Sequence, residues 1–370
     1  MKIRTLVDFE AFWTSLSEDI RAAKQYAFVE TFSFEGDRIG KMLADLLGAS
    51  AANDRRVLVD SFAKIVLSDR FLYSPANLVD ANLRLEAKET RQLHLSLRHA
   101  GVAIKHGNPF GLSPRRCLRR NHKKLIVIDD RVAYIGGMNF SEHNAAWHDM
   151  MLRIEDDDAA AFLRDDFLAS WEGKSRAVSK SFAGIDLHTL DGRSNASFFG
   201  KVLQLIDDAQ ASIFVESPYI TFPFYDHLRE ARRRGVSVTI VTPRRNNWSY
   251  FADYARWEST RCGIDLRLYD QGMSHLKAML VDDRHLIVGH QGLSALKSRC
   301  LEEGIHRFSG FRGSKTDEFT FLVIQTRLYD SCHTVSPSRP LRPRRDMYWG
   351  IYNYEASYFA SSTLPPPYIR

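Results

Sequence analysis

One arrangement of residue types occurs twice in this chain, as His122-x-Lys124-x-x-x-x-Asp129 and again as His275-x-Lys277-x-x-x-x-Asp282. The flanks repeat as well. Lys124 leads into Leu-Ile-Val-Ile-Asp-Asp-Arg and Lys277 into Ala-Met-Leu-Val-Asp-Asp-Arg, and Gly136 and Gly289 stand at matching positions downstream. Shared spacing with shared surroundings marks an internal duplication, which constrains the chain to fold as two related halves. With 370 residues it is long enough to do so, as two ordinary domains or as one body made of two fused halves.

Each half opens on the same alternation. Phe9 to Ala23 has amphipathic helical spacing and Tyr26-Ala-Phe-Val-Glu30 reads as a strand. Phe199 to Ala209 and Ser212-Ile-Phe-Val-Glu216 repeat that pair. A helix and an apolar strand follow in both, at Arg38 to Leu47 with Arg56 to Asp60, and at Tyr225 to Arg234 with Val236 to Val241. The pattern predicts α/β halves whose sheets are covered by helices. A further helix is expected near Glu89 to Ala100, and Asp60 to Ala87, longer than its counterpart, reads as an insertion. The expected organisation is a first half over 1–172, a linker over 173–197, a second half over 198–303 and an atypical basic Pro/Arg-containing tail over 304–370, in which Thr316 to Thr326 has the pattern of a strand.

Apolar residues make up 44% and charged residues 26% of the chain, which excludes extensive disorder in the first three hundred residues. No apolar run reaches membrane-spanning length, and the N-terminus carries acids where a signal peptide needs an apolar stretch, so a cytoplasmic, soluble or peripheral protein is expected. The net charge of +6 points to an anionic partner, phospholipid headgroups or nucleic acid. Cysteines at 117, 262, 300 and 332 show no Cys-x-x-Cys pairing, so neither a zinc site nor a disulfide framework is indicated.

Around each motif the residues read strand, tight turn, strand, over Lys124 to Ile128 and Val132 to Ile135 and over Lys277 to Val281 and His285 to Val288. Residues two apart on a strand share a face, so His122 and Lys124 point together, as do His275 and Lys277. Imidazole beside ammonium suits a phosphate ester: the lysine neutralises phosphoryl oxygens while the histidine attacks or moves a proton. Two copies would place one histidine on each side of a single phosphorus.

The stretch Arg120-Asn-His-Lys-Lys-Leu-Ile-Val-Ile-Asp-Asp-Arg-Val-Ala-Tyr-Ile-Gly-Gly-Met-Asn-Phe-Ser141, with Trp147-His-Asp149, Arg153-Ile-Glu155 and Phe167 to Trp171, resembles the phospholipase D superfamily, and in it the bacterial cardiolipin synthase branch that lacks N-terminal membrane helices. The resemblance covers about residues 5 to 303. It implies an α/β phospholipase D-type fold of two similar halves related by a pseudo-twofold axis, with one active site at their interface. It implies ping-pong transfer through a covalent phosphohistidine, without metal or other cofactor. The catalytic set it implies is His122, Lys124, Asp129, His275, Lys277 and Asp282, with His122 as nucleophile and His275 as acid and then base. Asn139 would join the lysines on the phosphate, with Gly136 and Gly137 allowing close backbone approach. Asp149 would orient the histidine of the first half, and Glu303, or its neighbour Glu302, that of the second. Asp129 and Asp282, on the other strand face, are expected to brace the turns more than to touch substrate.

The second motif departs from the family pattern. Gly289-His290-Gln291-Gly292 stands where Gly-Ser-x-Asn is usual, so either His290 substitutes in an asymmetric site or activity is weakened. A change of reading frame after Gly289 is a third account. A basic run, Arg115, Arg116, Arg119, Arg120, Lys123 and Lys124, either draws the site to an anionic bilayer, contacts a nucleic acid backbone or is a solvated loop. Phe110, Trp147, Phe222, Phe224 and Trp248 either line an acyl-chain entrance or belong to the core. The expected partners are an anionic phospholipid surface, at the inner face of the plasma membrane, and glycerophospholipids such as phosphatidylglycerol, ahead of nucleic acid. The rival functions are a phospholipase D hydrolase, a nuclease or phosphodiesterase with the same residues, and a degenerate phosphate-binding relative. Oligomeric state is not readable.

Overall fold

The computed structural model describes residues 1–109, 120–182, 184–190 and 195–289, together with strands at 304–309 and 332–334. Its first sheet has the order β1 (Lys2–Val7), β9 (Met150–Glu155), β8 (Val132–Gly136), β7 (Leu125–Ile128), β2 (Tyr26–Thr31), β3 (Asp54–Asp60) and β6 (Ala103–Gly107). The second runs β10 (Ser179–Phe182), β11 (Ile185–Thr189), β17 (Gly304–Ser309), β16 (His285–Gly289), β15 (Ala278–Val281), β12 (Ser212–Glu216), β13 (Ser237–Pro243), β14 (Asp265–Tyr269) and β18 (Cys332–Thr334). Leaving out β10 and β18, the second sheet repeats the first strand for strand. In each, three strands are parallel, β2 with β3 and β6 and β12 with β13 and β14, and the rest pair antiparallel. The duplication read from the motifs therefore extends to the whole sheet.

Both faces of each sheet are covered, which explains why the motif strands are unbroken apolar runs instead of alternating ones. Along β7, Ile126 and Ile128 join a core built with the helices Asp8–Ala22, Arg38–Ala49 and Ala81–His99. Leu125 and Val127 face the other way, into a core that also holds Leu276 and Val288 of the second half and Phe167 of the helix Asp157–Trp171. The second half has its own outer core under the helices Asn195–Asp208, Phe224–Arg233 and Ser249–Cys262. Two helix-covered sheets thus share one central apolar layer, and the two motifs come together at its edge.

Several boundaries differ from those expected. The helix near Glu89 starts at Ala81, because Asp80 caps it by accepting from the Leu83 amide at 3.0 Å. The stretch expected to link the halves carries the hairpin β10–β11, and β11 pairs with β17, so both lie within the second sheet. The second half continues past 303 into β17, which pairs with β16. Residues 316–326 lie outside the described residues. The insertion after β3 forms a short hairpin, β4 (Val66–Leu67) with β5 (Arg70–Phe71), a helical turn at Pro75–Leu78 and the lengthened helix.

The motif aspartates show why local chemistry fixes the strand pairing. Asp129 and Asp130 both have positive φ, 53° and 48°, as do Asp282 and Asp283, 51° and 50°. Two consecutive left-handed residues match the twist of a tight hairpin, and Asp tolerates that conformation. The Asp129 carboxylate accepts from the amides of Lys24, Gln25 and Tyr26 at 2.7–2.8 Å, and Asp282 accepts from those of Gln210, Ala211 and Ser212 at 2.7–2.9 Å. Each motif aspartate therefore fastens its hairpin to the start of the neighbouring strand. The bracing role expected of them is the one they have, their carboxylates being taken up by backbone amides. Asp282→Ala should lower unfolding free energy by about 2 kcal/mol, the scale for losing charge-assisted bonds to backbone amides at a partly exposed site. Urea denaturation checks this.

Candidate active site

The site lies at the lead-ins to the two motif hairpins. His122 and Lys124 sit in the extended lead-in to β7, and His275 and Lys277 in the lead-in to β15, one step before the regular strands assumed from sequence. In both copies the lysine reaches back: Lys124 Nζ donates to the His122 carbonyl at 2.5 Å, and Lys277 Nζ to the His275 carbonyl. Lys124 Nζ also lies 3.2 Å from His122 Nδ1. Each half adds an aromatic ring against its own pair. Phe32 lies 3.9 Å from the His122 ring and 5.4 Å from Lys124 Nζ, while Tyr219 lies 6.0 Å from the His275 ring and 5.9 Å from Lys277 Nζ.

The halves are interlocked at one side chain. Asp149, expected to orient the histidine of its own half, instead bonds His275 of the other, Oδ2 to Nδ1 at 2.7 Å with both groups buried. The backbone explains the exchange. The segment before β9 lies beside the lead-in to β15 in a parallel bridge, His148 to Ser274, with the His148 amide on the Met273 carbonyl at 2.9 Å and the His275 amide on the His148 carbonyl at 2.8 Å. Gly137 makes room: a Cβ there would fall 2.2 Å from an Asp149 carboxylate oxygen. At Gly136 it would fall 2.2 Å from the Met150 carbonyl. The paired glycines permit close approach, as expected, but to Asp149 and to β9.

The electrostatics bind the two copies into one site. Burial pushes the His275 imidazole down to about 3, helped by Lys277 and also by Lys124 from the first half, and opposed by Asp149. His275 is therefore neutral at physiological pH, with Nδ1 held and Nε2 presented to the site. Asp149 stays below the ordinary carboxylate range: its burial works against ionisation, and Lys277 and His275 outweigh it. Asn139 is buried behind the glycines, its Oδ1 accepting from Thr31 Oγ1 at 3.2 Å, which turns its amide nitrogen away as a donor. Trp147, of the first half, stands 4.9 Å from the His275 ring.

Other expected residues resolve differently. Arg120 and Lys123 are buried and paired, Arg120 Nη1 with Asp60 at 3.0 Å and Lys123 Nζ with Asp166 at 2.9 Å, so they cannot act as a surface attractor. A buried charge requires such a partner. Arg115, Arg116 and Arg119 lie outside the described residues, as do Phe110, His290, Gln291, Gly292, Glu302 and Glu303. Phe224 is core at 1% exposure, whereas Phe222 is 53% exposed. Among the described residues no group of three or more His, Cys, Asp or Glu is arranged to hold a metal ion.

Two residues at the site were missed from sequence. Glu30 and Glu216 stand at the C-terminal ends of the equivalent strands β2, where Thr31 follows, and β12, and each accepts from the residue preceding a motif histidine: Asn121 Nδ2 to Glu30 Oε1 and Ser274 Oγ to Glu216 Oε1, both at 2.5 Å. The signal was present as the repeated Val29-Glu30 and Val215-Glu216. Burial raises both carboxyls to about 7, against Lys123 at Glu30 and against His148 and Ser274 at Glu216.

Asp149→Asn should cut turnover about a hundredfold or more while leaving the fold intact, because the carboxylate beside His275 Nδ1 is replaced by an amide whose NH2 end can hold the ring in the wrong tautomer. Gly137→Ala should reproduce much of that loss by displacing the carboxylate, as steady-state kinetics will show. Glu216, raised above its unfolded value, contributes stability present below about pH 4.5 and lost as pH rises through about 7. Glu216→Gln should therefore match the wild type near pH 5 and exceed it at pH 8 by on the order of 1–3 kcal/mol in urea denaturation.

Comparison with known proteins places this geometry. The family described as cardiolipin synthase, phospholipase D-like domain matches residues 16–171 and 202–301. A probable cardiolipin synthase of Bacillus subtilis, YwiE, is 25% identical over 314 residues, which cover 78% of this chain and 58% of that protein. Cardiolipin synthase 2 of Staphylococcus epidermidis is 27% identical over 301 residues, 74% of this chain and 58% of that protein. The chain thus spans somewhat over half the length of these relatives. In fold it is similar to a phosphatidylserine synthase of Haemophilus influenzae, with a TM-score of 0.70 at 14% identity over 96% of this chain and 93% of that one. It is also similar to a polyphosphate kinase of Porphyromonas gingivalis, with a TM-score of 0.58 at 14% identity over 96% of this chain and 53% of that one.

Proposed function

Because the chain belongs to the cardiolipin synthase family of phospholipase D-like proteins, we propose that it is a phosphatidyltransferase acting on glycerophospholipids such as phosphatidylglycerol. One observation carries this reading, the Asp149–His275 bond across the halves. It gives the second histidine an oriented, neutral imidazole within the field of the first half's lysine. Relatives named cardiolipin synthases support the substrate class.

In the proposed reaction the phosphodiester anion lies between Lys124 and Lys277, with Asn139 donating a further hydrogen bond. Burial, with the two ammonium groups, holds His275 down; the anion's charge offsets the ammonium groups, so His275 gains basicity on binding and takes up a proton from solvent. His122 attacks phosphorus through Nε2, its Nδ1 being the atom beside Lys124. The P–O bond to glycerol breaks, and His275 protonates that oxygen as it leaves. His275 then takes the proton from the hydroxyl of a second phosphatidylglycerol, whose oxygen displaces His122 and releases cardiolipin. If water replaces that hydroxyl, the product is phosphatidic acid. Glu303, expected to orient the histidine of its own half, precedes β17 in sequence as Asp149 precedes β9; by the pseudo-symmetry we assign it to His122 of the opposite half. Among the described residues no helix is long and apolar enough to cross a membrane, and we place the protein peripherally at the inner face of the plasma membrane.

Cells expressing the protein should gain cardiolipin over cells expressing His122→Ala, read by lipid mass spectrometry. A gain of phosphatidic acid alone would identify a hydrolase, and unchanged lipids would overturn the reading. The roles separate with a nitrophenyl phosphodiester, whose leaving group needs no proton. His275→Ala should still be labelled on His122 in a single turnover, and label on His275 in His122→Ala would reverse the assignment.

A further inference from the structure

The insertion that breaks the symmetry of the two halves has a surface of its own. Between β3 and its following helix the first half has residues 61–80, where the second has only 244–248 between β13 and the helix Ser249–Cys262. The insertion is firmly built: Leu67, Leu72 and Leu83 bury one another in a small separate core. Around that core the chain turns apolar side chains outward. Tyr73 is 54% exposed, Leu78 45%, Val79 84%, Leu85 53% and Leu95 47%, and these are five of the eight large hydrophobic residues exposed among the described residues. They lie on the insertion and on the helix that follows it. The Arg84 guanidinium lies 6.0 Å from the Tyr73 ring and its Nε 3.4 Å from the Leu78 carbonyl, and Leu85 and Leu95 continue along one face of the helix.

The charges on this edge are of one sign. Every exposed residue from Arg70 to Ala100 is basic, apolar or neutral, and none is acidic. Lys88, Arg91 and Arg98 are exposed on the same helix face as Leu85 and Leu95. The acids of the helix turn inward or are paired: Glu86 Oε1 accepts from Ser68 Oγ at 2.7 Å and Glu89 Oε2 from Lys41 Nζ at 2.8 Å, while Asp80 caps the helix and accepts from Arg70 at 2.5 Å. Exposed apolar side chains bordered by cations suit a bilayer with anionic headgroups, whose interface takes the apolar groups while its phosphates meet the cations.

The insertion is also tied to the site. Its turn residue Asp69 bonds Asn247 Nδ2 of the second half at 3.4 Å, and Asn247 Oδ1 accepts from the Tyr219 hydroxyl at 2.7 Å, whose ring stands against His275. On the other side of the turn, Ser68 donates from N and Oγ to the buried Glu35 at 3.2 Å. A surface holding Tyr73 to Leu85 is therefore held at a fixed offset from the catalytic pair.

We propose that this insertion and the exposed face of the helix Ala81–His99 dock the protein on an anionic phospholipid bilayer, with Tyr73, Leu78, Val79 and Leu85 entering the interface and Lys88 and Arg91 on its headgroups. The occupant rests on the lipid reading of the site, and the docking is separable from the chemistry. The full chain should sediment with phosphatidylcholine vesicles containing about 30% phosphatidylglycerol and much less with phosphatidylcholine alone. Lys88→Gln/Arg91→Gln should weaken that binding about thirtyfold, at roughly 1 kcal/mol for each basic side chain, and Leu78→Asn/Val79→Asp should weaken it on both vesicle types. Both variants should turn over short-chain phosphatidylglycerol below its micelle concentration as the wild type does, which also shows that they fold. Wild-type vesicle binding in both variants would overturn the proposal. So would size-exclusion data in which Leu78→Asn/Val79→Asp splits a dimer while vesicle binding persists, for the edge would then be an interface between copies. Normal vesicle binding with no turnover of short-chain or vesicle lipid would instead remove the proposed function and leave the docking surface in place.

Discussion

The bond between Asp149 and His275 is the contact on which the rest of the site depends. Neither group is stable in its place without the other: a buried carboxylate needs a donor and nearby cations, and a buried imidazole used for chemistry needs one nitrogen fixed. Lys277 helps keep Asp149 ionised, burial together with Lys277 and Lys124 keeps His275 neutral, and Gly137 supplies the space. The bond reaches across the pseudo-twofold arrangement, so the apolar layer shared by the two sheets has to hold the halves in register to within hydrogen-bonding tolerance. That layer, with Leu125 and Val127 from one half and Leu276 and Val288 from the other, fixes distances between polar groups it never touches.

Much of this was legible in the sequence because the duplication gave two readings of each element. The strands Tyr26 to Glu30 and Ser212 to Glu216, the covering helices and the hairpins with their aspartates all stand near their expected places, since period and turn chemistry are local properties. The partner of Asp149 was not legible. Position downstream of one motif says nothing about which histidine a side chain faces, and that depends on the bridge between His148 and Ser274, a contact between distant segments. Arg120 and Lys123 misled for a related reason: a run of cations looks like surface until Asp60 and Asp166 arrive from elsewhere in the chain to bury it. Glu30 and Glu216 were hidden by their setting, as acids ending apolar strands, although the repeat placed them at matching positions. The hairpin over 179–189 was obscured by a polar composition that reads as linker.

The symmetry is strong in the sheets and weak at their margins. Phe32 and Tyr219 do similar work beside the two histidines, but Tyr219 also connects through Asn247 to the insertion of the first half. The site therefore has one side with extra structure bound to it.

The exchange of Asp149 across the halves also bears on ancestry. Asp149 is bonded to the opposite copy's histidine, so a single half of this design completes that pair only when two of them associate head to head. Gene fusion then converts a concentration-dependent encounter into a permanent one. Each copy is afterwards free to diverge, provided that it keeps supplying what its sibling lacks. Selection on such a chain acts on complementation between the repeats, and mutations harmless to one repeat's own fold will register as defects in the other.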